Sequence, residues 1–272
     1  MSSGYHGNCH CGRFRFELTG VEITEAIVCK CTLCAKKGYL WIRPITGSFN
    51  VTRDEGSLTS YKAPTLTDQF CGHCGTGVLG EHSLGSLNGQ QLVNIRAIQE
   101  VNPFKLGSSI HVAAPDDERP LKRISESSPA LHKASCHCGQ VQAELLVPIT
   151  DLEIKEDNCS SCVRDAYIGV YPTKDQVKIH GRENTFEYKY GQKFSGTLYC
   201  KICGVTVFRN IYGPPLSVFD KVPADRKERV MAAYWKNMAM QPLNVRTFDG
   251  LDLESLKIER TDEGTEGYVL PP

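Results

Sequence analysis

Thirteen cysteines in 272 residues restrict the fold of this chain more than any other feature of its sequence. Most of them recur in the same order in the two halves of the chain. The matched segments, at displacements of 127, 128 and 129 residues, are Cys9–Gly12 with Cys136–Gly139, Cys31–Cys34 with Cys159–Cys162, and Cys71–Gly75 with Cys200–Gly204. Six cysteines matched in order indicate a duplicated domain.

The seam between the copies is polar and interrupted by proline. Residues 114–120 and 125–129 lack periodicity, as expected of a linker. We expect one domain over residues 1–127 and a second over 128–272. The match between Asn94–Arg96 and Asn244–Arg246, displaced by 150 residues, gives the second copy about 21 extra residues after Cys203.

The alternation of apolar and polar residues predicts a mainly β protein. Four stretches read as half-buried strands: residues 13–18, 92–96, 141–145 and 185–190. The insertion in the second copy differs, because its apolar residues follow near-helical spacing from Asp225 to Met240. We expect a helix that packs on its own domain; the alternative is a helix that roofs a cleft between the domains.

Charge and hydropathy exclude some classes of function. The 31 basic residues balance 31 acidic ones, which argues against a non-specific nucleic-acid binder. No apolar run approaches the ~18 residues of a membrane span, and the first residues lack the basic and apolar parts of a signal peptide. We therefore expect a cytoplasmic protein with a small-molecule partner, in a compartment where thiols stay reduced.

Two sets of four cysteines have the spacing of structural zinc sites. Each combines a Cys-x-Cys motif with a Cys-x-x-Cys-Gly motif about 60 residues later, and four thiolates satisfy tetrahedral zinc. The predicted sets are Cys9, Cys11, Cys71 and Cys74 in the first domain, and Cys136, Cys138, Cys200 and Cys203 in the second. Disulfides are the less favoured alternative, because the number of cysteines is odd and Cys-x-Cys pairs bridge poorly.

The first domain has three further cysteines, Cys29, Cys31 and Cys34, within six residues. Three protein ligands leave a zinc ion one position for a substrate, and three thiolates favour a soft ligand such as another sulfur. The alternative is a second structural zinc completed by a His or Asp from elsewhere. In the second copy Asp157 replaces Cys29 beside Cys159 and Cys162, so we expect that site to be weak or empty.

These motifs resemble those of the glutathione-dependent formaldehyde-activating (Gfa) and centromere-protein-V domain family. The resemblance rests on Cys9–Gly12, Cys29–Cys34 and Phe70–Thr76, and extends over the second copy except at Asp157. It implies two tandem tent-like β domains of the Gfa type, each with a structural zinc on four cysteines. It also implies a reactive zinc on Cys29, Cys31 and Cys34, giving two zinc ions in the first domain and one or two in the second.

The leading hypothesis is therefore a zinc-dependent carbon–sulfur lyase or synthase that acts on a thiol adduct such as a glutathione conjugate. Residues beside the reactive loop are candidate substrate contacts: Lys30, Thr32, Lys36, Tyr39 and Trp41. Tyr39 and Trp41, as aromatic residues on a strand, more often belong to a core than line a pocket. His10 and His73 are candidate proton carriers, against the simpler interpretation of turn residues bonded to backbone. The rival functions are a non-catalytic zinc scaffold that binds a partner and a metal-buffering protein.

Overall fold

The structure is a computed structural model, and it describes residues 4–83, 85–107, 109–112, 131–264 and 268–271. The predicted linker and the boundary near residue 128 lie outside the described residues, so the exact division stays a prediction. Within the described part, no helix is both long enough and apolar enough to cross a membrane.

The first domain consists of two sheets. Its strands β1–β10 are Tyr5–Asn8, Phe14–Leu18, Ala26–Cys29, Trp41–Ile42, Phe49–Asp54, Leu58–Lys62, Leu66–Cys71, Gly77–His82, Gln91–Asn94 and Ser109–Val112. A three-stranded sheet has the order β1-β2-β5, and a seven-stranded sheet has the order β10-β3-β4-β9-β8-β7-β6. All pairs are antiparallel except β10 with β3.

The second domain repeats this topology strand for strand. Its strands β11–β20 are His132–Ser135, Gln142–Leu145, Ile154–Asp157, Ile168–Val170, Val177–His180, Thr185–Tyr188, Ser195–Cys200, Thr206–Ile211, Leu243–Asn244 and Glu259–Thr261. The orders are β11-β12-β15 and β16-β17-β18-β19-β14-β13-β20, and the parallel pair is β13 with β20. The mainly β class and the tandem arrangement are therefore confirmed.

Helices are few. The α-helices are α1 Thr32–Lys37, α2 Ser160–Asp165 and α3 Ala224–Met238. The 3-10 segments are Gly85–Leu87, Ile95–Ala97, Pro103–Lys105, Ile149–Asp151, Lys174–Gln176, Arg182–Asn184, Leu216–Lys221, Val245–Thr247 and Leu253–Ser255. The strand predicted to reach Arg96 ends earlier, because the Asn94 side chain accepts a hydrogen bond from the Arg96 amide and caps a 3-10 turn.

The insertion folds as the predicted helix, α3. Tyr234 packs its ring against Phe219, with centroids 5.1 Å apart, and a Cβ built on Gly213 would lie 2.9 Å from Met238. These contacts lie within the second domain. The helix buries none of its residues, and Trp235 is 55% exposed, so the packing on its own domain is loose.

The two domains face each other through reciprocal contacts. His10 Nδ1 lies 2.9 Å from the Tyr188 hydroxyl, and the matched pair, His137 and Tyr61, has the same separation. Lys36 reaches the Ser135 carbonyl across the interface, just as the equivalent Arg164 reaches the Asn8 carbonyl. Equivalent residues that contact each other in both directions define an approximate two-fold axis between the domains.

The apolar core also crosses this interface. One buried cluster includes Trp41 and Phe70 of the first domain together with Phe208 and Leu243 of the second. A Cβ on Gly204 would lie 2.7 Å from the Phe70 ring, and a Cβ on Gly75 would lie 2.1 Å from the ring of Tyr199, which occupies the equivalent position. Only glycine permits this approach, so the domains pack as one unit.

Candidate metal centres

The two four-cysteine clusters are assembled as predicted. In the first domain Cys11 Sγ lies 3.5 Å from Cys9 Sγ and 3.7 Å from Cys71 Sγ. In the second, Cys138 Sγ lies 3.5 Å from Cys136 Sγ and 3.4 Å from Cys200 Sγ. With Cys74 and Cys203, each cluster keeps all four sulfurs within 4.8 Å of one another. Sulfurs that share a tetrahedral zinc at ~2.3 Å lie about 3.8 Å apart, so both clusters fit this ion.

Backbone turns orient these sulfurs. Cys9 follows β1, and its sulfur accepts a hydrogen bond from the Phe14 amide at 3.3 Å. Val141 makes the same bond to Cys136 at 3.3 Å. Gly75 and Gly204 follow the second pair of each set with φ of 76° and 66°, a left-handed conformation that glycine adopts without strain. All thirteen cysteines have free thiols, in line with metal ligands rather than disulfides.

The first three-cysteine cluster lies where β3 enters α1. Cys29 ends the strand, Cys31 caps the helix by accepting a hydrogen bond from the Cys34 amide, and Cys34 lies in the first turn. The three residues are 4, 2 and 2% exposed. Hydrogen bonds from the thiols of Cys29 and then Cys34 lower the pKa of Cys31 to about 2. The three sulfurs therefore share one buried site, which has the donor set for a zinc ion.

A histidine that the sequence did not single out lies at this site. His82 ends β8, and its Nε2 is 4.0 Å from Cys34 Sγ; together with Cys29 these donors lie within 4.8 Å of one another. Its Nδ1 is buried without a hydrogen-bond partner, and burial lowers the pKa of the imidazole. A neutral imidazole is the form that binds metals. The alternative of a histidine from elsewhere in the sequence therefore has a candidate in His82, beside Cys29 and Cys34.

The predicted substrate contacts divide into two groups. Lys30 and Thr32 are exposed and line a cleft of about 670 Å³ between the domains, opposite His132, Lys133 and Arg246. Lys36, Tyr39 and Trp41 are buried. Lys36 Nζ donates to second-domain oxygens, the Tyr39 hydroxyl donates to Asp68, and Trp41 Nε1 donates to Cys34 Sγ at 3.3 Å. Trp41 thus orients the sulfur of Cys34, a candidate metal ligand. Lys36 bonds to the other domain, and Tyr39 bonds within the core of the first.

The second-domain cluster also forms. Asp157 ends β13, Cys159 precedes α2 and Cys162 lies within it, and their donor atoms lie within 4.8 Å of one another. Arg209 Nη1 lies 3.5 Å from Cys162 Sγ, and Nη2 donates to Asp165 at 3.1 Å. Both cysteines are partly exposed, unlike those of the first cluster. The site is therefore assembled, with a cationic side chain beside one sulfur.

The two candidate proton carriers lie in different surroundings. The His10 ring contacts the Tyr188 hydroxyl and Ser160 Oγ, at 2.9 and 3.1 Å, and both groups belong to the second domain. Burial, then the charges of Arg164 and Arg209, lower the pKa of His10 to about 3. His73 packs the edge of its ring against Tyr188. His10 therefore bonds side chains across the interface, and the expectation of backbone bonding was wrong for it.

The matched arginines do not contact a common group. Arg246 pairs with Glu156 at 3.3 Å and donates to the Ala166 carbonyl, as a structural salt bridge would. Arg96 donates to the carbonyls of Gly38 and, across the interface, Val163. Arg96 therefore bonds across the interface, whereas these Arg246 bonds lie within the second domain.

The fold and the four clusters define a class: a tandem β protein whose two halves each carry one four-cysteine centre and one smaller centre. Residues 4–112 match the family model described as "Glutathione-dependent formaldehyde-activating enzyme", which confirms the resemblance for the first domain. A crystal structure of a Rhodobacter sphaeroides protein is 22% identical, covers 47% of this chain and 99% of its own, and has a TM-score of 0.33. The comparison with curated proteins gives no match.

Proposed function

We propose that this protein is a zinc-dependent carbon–sulfur lyase or synthase that acts on a thiol adduct such as a glutathione conjugate. The observation that carries the proposal is the buried trio of Cys29, Cys31 and Cys34 within the segment that matches a glutathione-dependent family. Thirteen free thiols suit a reducing compartment such as the cytoplasm.

In this proposal Cys29, Cys31 and Cys34 would hold zinc, with the substrate sulfur as its fourth ligand. When bound, zinc lowers the pKa of such a thiol, so that a thiolate nucleophile is present at neutral pH. Trp41 fixes the Cys34 sulfur through its 3.3 Å hydrogen bond. Lys30 and Thr32, on either side of Cys31, line the nearest open cleft and are the side chains that meet the rest of the substrate.

In this proposal His82 Nε2 carries the proton. It accepts the thiol proton as the sulfur binds, and it returns that proton to the carbonyl oxygen of an aldehyde as the sulfur–carbon bond forms and the carbonyl π bond breaks. In the reverse direction the hydroxyl proton passes to Nε2, the sulfur–carbon bond breaks as the carbonyl π bond re-forms, and Nε2 gives the proton to the departing sulfur, which leaves as a thiol. His82 lies 4.0 Å from Cys34 Sγ and is 2% exposed.

The same histidine favours a second candidate, a non-catalytic zinc scaffold. His82 is grouped with Cys29 and Cys34 within 4.8 Å, and with Cys31 as a fourth donor they would make a closed set, which is typical of structural zinc. The burial of all four side chains agrees with that function. Under this alternative the first domain holds two structural zinc ions and its partner is a protein.

Two variants separate these functions. Under the enzyme proposal, Cys31→Ser keeps the fold and loses adduct formation from glutathione and formaldehyde, followed by NMR, whereas Cys9→Ser loses one zinc and unfolds the first domain. Under the scaffold alternative, Cys31→Ser destabilises the domain as much as Cys9→Ser does. Cobalt-substituted protein gives a second readout: glutathione changes its visible spectrum only if a sulfur enters the coordination shell.

A further inference from the structure

The two smaller centres differ in the side chains that lie beside their sulfurs. His82 and Ile211 are the last residues of β8 and β18, and they pair with the equivalent residues Leu66 and Ser195. The first centre therefore has an imidazole beside its sulfurs, and the second has an alkyl side chain at that position. In the described part of the chain, the donors grouped at the second centre are Asp157, Cys159 and Cys162.

The side chain that donates a hydrogen bond to a cysteine sulfur also differs between the two centres. In the first domain Trp41 donates to Cys34, and a Cβ on Gly80 would lie 2.6 Å from the Trp41 ring. The equivalent positions hold Gly169 and Arg209, so there is no indole, and a guanidinium reaches the centre from β18, which β19 separates from the strand of Gly169. Arg209 Nη1 reaches Cys162 Sγ at 3.5 Å. Different side chains thus bond the same cysteine, as expected of a centre that is still in use.

Three buried polar atoms at this centre lack a hydrogen-bond partner within the described residues: Asp157 Oδ1, Arg209 Nε and the Tyr167 hydroxyl. The Arg209 guanidinium lies 3.7 Å from the Tyr167 ring centroid, so two of them are neighbours. Buried polar atoms are nearly always bonded, and an exception points to an ion or a solvent molecule. A cation bound by Asp157, Cys159 and Cys162 would give the buried Asp157 oxygen the partner that it lacks.

We propose that Asp157, Cys159 and Cys162 hold a zinc ion whose fourth position is occupied by exchangeable solvent or a small anion. One carboxylate and two thiolates would give a zinc site a formal charge of −1, next to the Arg209–Asp165 ion pair. Cys159 and Cys162 are partly exposed, whereas the cysteines of the first centre are 2–4% exposed. This differs from the weak or empty site expected from the sequence, and it is independent of the function proposed for the first domain.

Metal content tests the occupancy. The four clusters predict four zinc ions per chain, and Asp157→Ala is expected to leave three. Asp220→Ala, at an exposed carboxylate of the same domain, is the matched control and should keep four. A wild-type protein with three zinc ions that Asp157→Ala does not reduce, or an Asp157→Ala variant that keeps four, overturns the proposal.

The difference between the cobalt spectra of the wild type and of Asp157→Ala isolates this centre and tests its open position. Azide or 2-mercaptoethanol is expected to shift this difference spectrum. Ile211→His introduces the imidazole that the first centre has, so it should keep the cobalt and suppress the shift. A spectrum indifferent to both probes, or an Ile211→His variant that responds as before, refutes an exchangeable position.

Discussion

Lys36 holds the domains together, and its replacement by methionine measures how strongly. Its buried ammonium group donates to four second-domain atoms at 2.9–3.2 Å: Ser135 O, Ser135 Oγ, Thr247 O and Asp249 Oδ1. Methionine keeps the apolar stem and removes every donor. The two carbonyls then lose this partner, while Ser135 Oγ keeps its bond to Asp249.

The cost follows from these contacts. A buried acceptor left without its donor costs about 1 kcal/mol or more, and two carbonyls give about 2–3 kcal/mol. Asp249 is 41% exposed, so the ion pair adds at most about 1 kcal/mol. We therefore expect Lys36→Met to lower the free energy of unfolding by about 2–4 kcal/mol, which corresponds to roughly 5–10 °C in Tm for a chain of this size.

Urea unfolding at fixed zinc concentration, followed by tryptophan fluorescence, measures this change, because Trp41 is fully buried and Trp235 is 55% exposed. Lys62→Met, at an exposed lysine of β6, is the control and should change stability by no more than ~0.5 kcal/mol. If Lys36→Met matched this control, the interface would not depend on the buried ammonium group and the reasoning would be refuted.

Two further predictions concern the same interface. Gly38 and Gly56 both have left-handed φ, but a Cβ would lie 2.3 Å from Ala166 Cβ at Gly38 and meets nothing within 4 Å at Gly56. Thermal unfolding should therefore show that Gly38→Ala costs about 1–3 kcal/mol more than Gly56→Ala, and equal costs would argue against tight packing there. The pKa of His10 is lowered from 6.5 to about 3, so the folded state binds fewer protons than the unfolded state between these values. Stability is expected to fall as pH drops below 6.5, by up to ~1.4 kcal/mol per unit, and His10→Gln should reduce that slope in unfolding titrations from pH 7.5 to 5.5; an unchanged slope would contradict it.

The sequence predicted the parts of the molecule that are encoded locally. Cys-x-Cys and Cys-x-x-Cys fix two sulfurs within one turn, and the repeat shows which pairs belong together, so both four-cysteine clusters were predicted in full. Alternation of residues located strands β2, β12 and β16, and helical spacing located α3. The extent of β9 was overestimated, because the Asn94 cap depends on one side-chain bond rather than on a pattern.

His82 and Arg209 could not be predicted in the same way. His82 is 48 residues from Cys34, and only the pairing of β8 within the sheet brings it to the sulfurs. Arg209 is 47 residues from Cys162, and only the order of the strands in the sheet brings its guanidinium to that sulfur. The signal available was a comparison of equivalent positions in the two copies. His82 of the first copy corresponds to Ile211 of the second. Trp41 and Gly80 correspond to Gly169 and Arg209.

The approximate two-fold axis has a consequence for how such a molecule diversifies. When two identical chains associate, every amino-acid replacement alters both halves, so neither centre changes without the other. A covalently joined pair escapes that constraint, because each replacement is made once. The two smaller centres show the outcome. They descend from one ancestral centre and share one scaffold, but one has Trp41 and Gly80 where the other has Gly169 and Arg209.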